Sequence, residues 1–108
     1  MPEYDPSDPD QVERATRADE LRQLETREIV RTLLMTYEGR AFVWMLLQQA
    51  GLRRSSFAGE APLTMAYQEG QRGVGLWAEE WVLTAAPEKH SIMRREAVQR
   101  EQKYAEVA

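Results

Sequence analysis

The 108-residue sequence contains no cysteine and a single histidine, and each scarcity excludes a class of chemistry. Without thiols there is no disulfide framework and no thiolate metal site. His90 has no second histidine at ligand spacing, and no two groups of the usual acid, base, nucleophile or metal-binding kind converge by sequence spacing. We therefore expect a protein that is not an enzyme and that uses no cofactor and no metal ion.

Long apolar runs are also missing. The longest, from Ala41 to Leu47, falls far short of the roughly 18 residues that a membrane-spanning helix needs. The first ten residues are acidic and rich in proline, and they lack the basic and apolar regions of a secretory signal. The sequence thus predicts a soluble protein without a signal peptide.

Lysine is scarce as well, because twelve of the fourteen basic residues are arginine. The formal net charge of −4 argues against a protein that binds the phosphate backbone, so we expect no sequence-specific nucleic-acid binding. Arginine suits planar, bidentate pairing at protein interfaces, which favours protein partners. A solvated surface with many salt bridges would account for the same composition.

Helical spacing of apolar residues and capping residues predict an all-α fold, a small bundle of about four helices with a long N-terminal helix. Asp8 and Thr36 are the expected N-caps, and Gly51 is expected to end the second helix. The predicted organisation is an acidic extended arm at residues 1–8, a helical domain at 9–98 and a charged C-terminal helix extension at 99–108. Within the domain, the helices are predicted at about 9–35, 37–50, 62–85 and 87–98.

The second helix is apolar almost all round, which predicts burial on more than one side. It is either the central helix of the bundle or partly in contact with another chain. The third helix carries an apolar stripe that includes two tryptophans, and core packing is the favoured interpretation over a membrane-surface face. The predicted core residues are Phe42, Trp44, Leu46, Leu47, Phe57, Trp77 and Trp81.

Small residues follow one edge of the third helix at Ala66, Gly70 and Gly73. The glycines superficially resemble a phosphate-binding loop, but no strand precedes them and the helical pattern continues through them. Each glycine in a helix interior costs roughly 0.5–1 kcal/mol relative to alanine, so another interaction must offset this cost. We predict close packing of this edge against the second helix or against a neighbouring subunit, in preference to ligand binding.

Four arginines are candidate partner contacts. Arg53 and Arg54 follow the C terminus of the second helix, where positive charge also complements the helix dipole. Arg94 and Arg95 lie in the largely charged part of the fourth helix. His90 is expected to be a solvated surface residue.

Four sequence blocks stand in order between Arg27 and Val98. They are T-x-E-G-R-x-F-x-W-x-L-L from Thr36, S-S-F-x-G from Ser55, E-G-x-R-x-V-G-L from Glu69, and P-E from Pro87 followed by Met93 and Glu96. This arrangement resembles a family of small tailed-phage proteins that takes its name from an open reading frame in the head-gene cluster of a Bordetella podophage. The chain departs from the family pattern at Tyr37, where proline is common, and at Gly73, where a bulkier residue is usual.

The resemblance implies a virion-associated or assembly protein encoded among portal, scaffold and capsid genes, in a family with no assigned activity. We therefore expect a non-enzymatic structural component of a podophage virion, present in many copies near the portal or head-to-tail vertex. Its expected partners are portal, tail or capsid proteins and copies of itself, first in the host cytoplasm and then in the virion. Two alternatives stay open: an internal protein that is ejected with the DNA and meets a membrane, or a cytoplasmic assembly adaptor or chaperone that is absent from the mature particle.

Overall fold

The computed structural model describes residues 5–51 and 62–108. These ranges hold four helices and no strand, which confirms the predicted all-α fold. The predicted sites Arg53, Arg54 and Phe57 lie outside the described residues. The helices are α1 (Pro9–Leu33), α2 (Tyr37–Gln49), α3 (Pro62–Ala85) and α4 (Pro87–Val107).

The helix boundaries follow local capping chemistry. The Asp8 carboxylate accepts a hydrogen bond from the Asp10 backbone N–H at 3.0 Å, and the Thr36 hydroxyl accepts one from the Gly39 N–H at 3.0 Å. Both predicted N-caps are thus present. Gly51 follows α2 with a φ of 72°, the left-handed conformation that favours glycine after a helix. Helices α1 and α2 end slightly before the predicted residues, and α4 continues unbroken through the predicted charged extension.

The described part of the N-terminal segment forms a turn and not the extended arm that we predicted. The Asp8 N–H donates to the Asp5 carbonyl at 3.1 Å, and the Asp5 N–H donates to the Gln11 side-chain oxygen at 2.6 Å. The Asp5 carboxylate accepts from the hydroxyl and the backbone N–H of Ser7, and these bonds lower the pKa of Asp5. Local polar contacts therefore fold this acidic segment back onto the start of α1.

The core is small and lies where α2, α3 and α4 meet the end of α1. Helix α1 packs on α3, α2 packs on both α3 and α4, and α3 packs on α4. Leu34, directly after α1, and Met93 of α4 are the largest fully buried side chains, whereas α1 itself has no buried residue. The core cluster consists of Leu34, Val43, Leu47, Val82, Ala86 and Met93, with Val30, Trp44 and Ala78 packed against it.

Helix α2 is covered on one side only, which corrects the prediction that it is buried on more than one side. Leu47 is in the core and Trp44 packs against it, but the predicted core residues Phe42 and Leu46 are 57% and 51% exposed. The physical reason is that α1 packs on α3 and not across α2, so nothing in the described chain covers the outer side of α2.

The predicted apolar stripe of α3 is divided between the inside and the outside of the molecule. Val82 and Ala85 are buried, Trp81 is half-buried, and Trp77 is 60% exposed. The prediction that Trp77 belongs to the core is therefore wrong. The side of α3 that faces the core contains Gly75 and Val82, and the 100° step of an α-helix turns Trp77 away from it.

The molecule is elongated. Its principal extents are 63 × 40 × 21 Å and its radius of gyration is 18.9 Å, whereas a compact chain of this length would have about 13 Å. No helix within the described ranges is both long and apolar enough to cross a membrane. The shape leaves much of the surface of each helix uncovered.

Candidate interaction surface

The most deeply buried ion pair in the described structure joins Arg40 of α2 to Glu96 of α4. The Arg40 Nε donates to Glu96 Oε1 at 2.7 Å, and Arg40 Nη1 donates to the Leu34 carbonyl at 3.0 Å. The two side chains are only 15% and 11% exposed. One guanidinium therefore ties α4 to the corner between α1 and α2.

Gly39 makes this geometry possible. A Cβ at Gly39 would overlap the Leu33 carbonyl oxygen and would lie 3.1 Å from the Thr36 hydroxyl, so the first turn of α2 rests directly on the end of α1. This contact places Arg40 within reach of the Leu34 carbonyl. The residues of the first and last sequence blocks that meet here thus hold α1, α2 and α4 together.

A second polar contact corrects the expectation that His90 is a solvated surface residue. Its Nε2 lies 3.3 Å from Glu79 Oε2, and both side chains are less than one third exposed. The Trp44 ring meets the imidazole edge-on, with 6.1 Å between the ring centroids. Helices α2, α3 and α4 converge on His90, which places it in an interhelical contact. Within the part of the chain that the structure describes, no three His, Cys, Asp or Glu residues are grouped to hold a metal ion.

A groove of about 530 Å³ runs between α2 and α4, and Arg94 lines it together with Trp44 and Val98. Arg95 is exposed outside this groove. Arg94 and Arg95 are the two predicted partner residues within the described ranges. Both are on the surface, but only Arg94 lines the groove. Their contact with a partner stays a prediction.

The predicted small-residue edge of α3 is fully on the surface. Ala66, Gly70 and Gly73 are exposed, and a Cβ added at either glycine would meet nothing within 4 Å. The prediction that this edge packs against α2 is wrong, because α3 turns Gly75 and Val82 to the core and these lie on the other side of the helix. Packing against another subunit stays a prediction.

Large apolar residues flank this edge and share its exposure. Helical spacing puts them on one side of α3 with the small residues. Farther along the same side, Trp81 and Thr84 line a groove with Leu24 of α1, so α1 covers only the end of the surface. The α3 face, as we call the uncovered part, consists of Leu63, Ala66, Tyr67, Gly70, Gly73, Val74 and Trp77.

Exposed apolar side chains also mark the outer side of α2. Phe42, Met45 and Leu46 are each between 50% and 57% exposed. Contiguous exposed apolar surface on a protein is a mark of an interaction site. The α3 face and the outer side of α2 are two such surfaces in the described structure.

The sequence alone did not point to the Arg40 and Glu96 pair. The two residues are 56 positions apart, and no local spacing links them. The available signal was the charge of Arg40 directly before the apolar run from Ala41 to Leu47, together with Glu96 one turn after Met93. Such a charge needs a partner if its helix is buried.

A family model for Bbp19-like phage proteins matches residues 30–100, which is more than half of the chain and includes the α1–α2 corner, the Arg40 and Glu96 pair and the whole α3 face. Neither the curated proteins nor the solved structures gave a significant match. The family match confirms the resemblance seen in the four sequence blocks. The chain therefore belongs to the Bbp19-like phage protein family and is a phage protein.

Proposed function

We propose that this protein is a non-enzymatic structural component of a tailed-phage virion, present in many copies near the portal or head-to-tail vertex. The observation that carries the proposal is the exposed apolar surface, namely the α3 face and the outer side of α2. A single chain that leaves Trp77 and Phe42 in water has apolar area available for neighbours. Family membership supplies the phage context.

The elongated shape supports an assembly role. A chain with a radius of gyration of 18.9 Å buries few side chains in its own core, and contacts with neighbouring subunits would cover its remaining apolar surface. The candidate neighbours are portal, tail or capsid proteins and further copies of this chain. The two buried polar contacts join helices to each other, which supports a structural and not a catalytic use of Arg40 and His90.

Quantitative mass spectrometry of purified particles tests the proposal. We expect the protein in mature virions at a constant ratio to the portal protein, corresponding to several copies per particle. A replication protein of the same phage, measured in the same sample, controls for carry-over from the lysate. If the protein is abundant in lysates but absent from particles, the structural proposal fails and a cytoplasmic adaptor or chaperone is favoured.

A charged residue on the α3 face tests whether this surface is used in assembly. We expect Trp77→Glu to lower incorporation into particles, because a buried unpaired carboxylate is costly at an interface. Ser91→Glu on the exposed side of α4 is the matched control and should be incorporated normally. Equal incorporation of both variants would contradict a role for the α3 face.

A second candidate function is ejection with the DNA, which the exposed Trp77 and Leu63 favour because such a face can lie in a membrane interface. Co-sedimentation of the purified protein with anionic lipid vesicles tests it. Binding that Trp77→Glu abolishes would support ejection, and absence of binding would remove this candidate.

A further inference from the structure

We infer that two copies of this chain pair through the α3 face, with their α3 helices antiparallel and a two-fold axis passing at Gly70. This inference concerns a contact between copies of the chain and does not depend on where the protein resides in the phage. It rests on the order of large and small residues along the face and on its area.

The α3 face is complementary to itself in one register. A two-fold axis at Gly70 places each residue of α3 opposite a residue of the second copy. The two residues lie the same number of positions from Gly70, one before it and one after it. Tyr67 then faces Gly73 of the second copy, and Ala66 faces Val74, so that a large side chain meets a small one. At the axis, the two Gly70 residues meet and let the backbones come close. A parallel pairing would instead place Tyr67 on Tyr67 and Val74 on Val74, so that large side chains meet large ones.

The ends of the face match as well. Leu63 faces Trp77 of the second copy, so an aliphatic side chain packs on an indole at each end of the paired segment. Leu63 is the most exposed large apolar residue of the described chain, at 88%. The pairing therefore removes from water both the most exposed side chain of the α3 face, Leu63, and the largest one, Trp77.

The area of the face is sufficient for a specific contact. Its four large side chains are Leu63, Tyr67, Val74 and Trp77, and each is mostly exposed. Because an aromatic side chain alone has a surface of roughly 150–250 Å², the four together expose on the order of 500 Å² in each copy. Two copies would together bury about 1,000 Å², which is the lower bound for a specific interface. Complete burial of the face would thus bring the pair to the minimum area of a specific interface.

Single cysteines test the register in the full chain, because the natural sequence contains none. A disulfide needs Cα atoms within about 7 Å, so Gly70→Cys should form a covalent dimer with itself under mild oxidation. Leu63→Cys alone should not, whereas a mixture of Leu63→Cys and Trp77→Cys chains should form the mixed dimer. Ser91→Cys on α4 controls for random cross-linking. A dimer from Leu63→Cys alone would overturn the antiparallel register, whether or not Gly70→Cys also forms one.

Sedimentation velocity measures the association without a cross-link. We expect the natural chain to dimerise and Gly70→Leu to weaken the dimer tenfold or more, since the added side chain separates the backbones at the axis. The space around Gly70 is open in the single chain, so the variant should keep its helical circular dichroism. Ser91→Leu is the matched control and should dimerise normally.

An interface of this size at the weak end of affinity would still form at about 100 μM. If the natural chain stays monomeric up to that concentration, the inference is overturned and the α3 face is assigned to a different protein. Unchanged dimerisation of Gly70→Leu would overturn it as well.

Discussion

Arg40 is the residue on which the arrangement of the described helices depends most directly. Its guanidinium contacts Glu96 and the Leu34 carbonyl, and both charged side chains are nearly buried. Glu96 Oε2 has no hydrogen-bond partner in the described structure. A carboxylate in this position is costly without its cation, because its charge would be neither solvated nor paired.

We expect Arg40→Met to lower the free energy of unfolding by roughly 3 kcal/mol, since it leaves the Glu96 carboxylate buried and unpaired. The double variant Arg40→Met/Glu96→Leu should recover most of this loss. Urea denaturation followed by circular dichroism measures both. The control is Arg17→Met, which removes a 3.9 Å pair with Glu13 on the exposed surface of α1 and should change stability by less than about 0.5 kcal/mol. Equal effects of the two single variants would show that the buried pair is not important for stability.

Two glycines provide a second comparison at the same scale. Gly39→Ala should destabilise the protein by about 2 kcal/mol or more, because the new Cβ would overlap the Leu33 carbonyl. Gly70→Ala has open space and should stabilise α3 by roughly 0.5–1 kcal/mol through helix propensity alone. Thermal unfolding at high dilution, where the single chain predominates, measures both values. A neutral Gly39→Ala would contradict the tight corner between α1 and α2.

At the scale of the element, α2 shows how composition and burial can disagree. Its sequence is apolar on nearly every side, but the helix packs on α3 and α4 along one side only. Hydrophobic periodicity orients a helix through the contrast between apolar and polar positions. Where this contrast is absent, as in the segment from Ala41 to Leu47, the pattern predicts a helix but not which side faces the core.

Two neighbouring leucines of α2 test this one-sided burial. Leu47 is 5% exposed and contacts the core cluster, so Leu47→Ala should cost about 2–5 kcal/mol. Leu46→Ala should change the stability of the single chain by no more than about 0.5 kcal/mol, because its side chain already contacts water. Chemical denaturation of the two variants provides the comparison. Similar losses for both leucines would mean that another contact covers α2.

Helix α3 shows which features the spacing of apolar residues predicts well and which it predicts poorly. Its described part spans Pro62–Ala85, where Pro62 suits a first turn and the apolar stripe continues to Ala85. The assignment of Trp77 to the core was wrong, whereas Val82 of the same stripe is buried. A wide stripe contains more apolar positions than one neighbouring helix can cover.

At the scale of the whole molecule, the chain is more extended than its length requires. We expect small-angle X-ray scattering of the Gly70→Leu variant, chosen to favour the single chain, to yield a radius of gyration near 18.9 Å. A compact bundle of this length would have about 13 Å. A value close to the compact one would show that α1 folds back over α2 in solution, and it would contradict an exposed outer side of α2.

The all-α class, the N-caps at Asp8 and Thr36, and the family blocks could all be inferred from the sequence, because each depends on neighbouring residues. Capping and helix propensity act within a few residues, so they can be inferred without the fold. Two further features required the fold: which apolar sides stay uncovered, and the contact of Arg40 with Glu96 across 56 positions. These outcomes depend on which helices pack together, and in a chain with so small a core that packing leaves the α3 face and the outer side of α2 exposed.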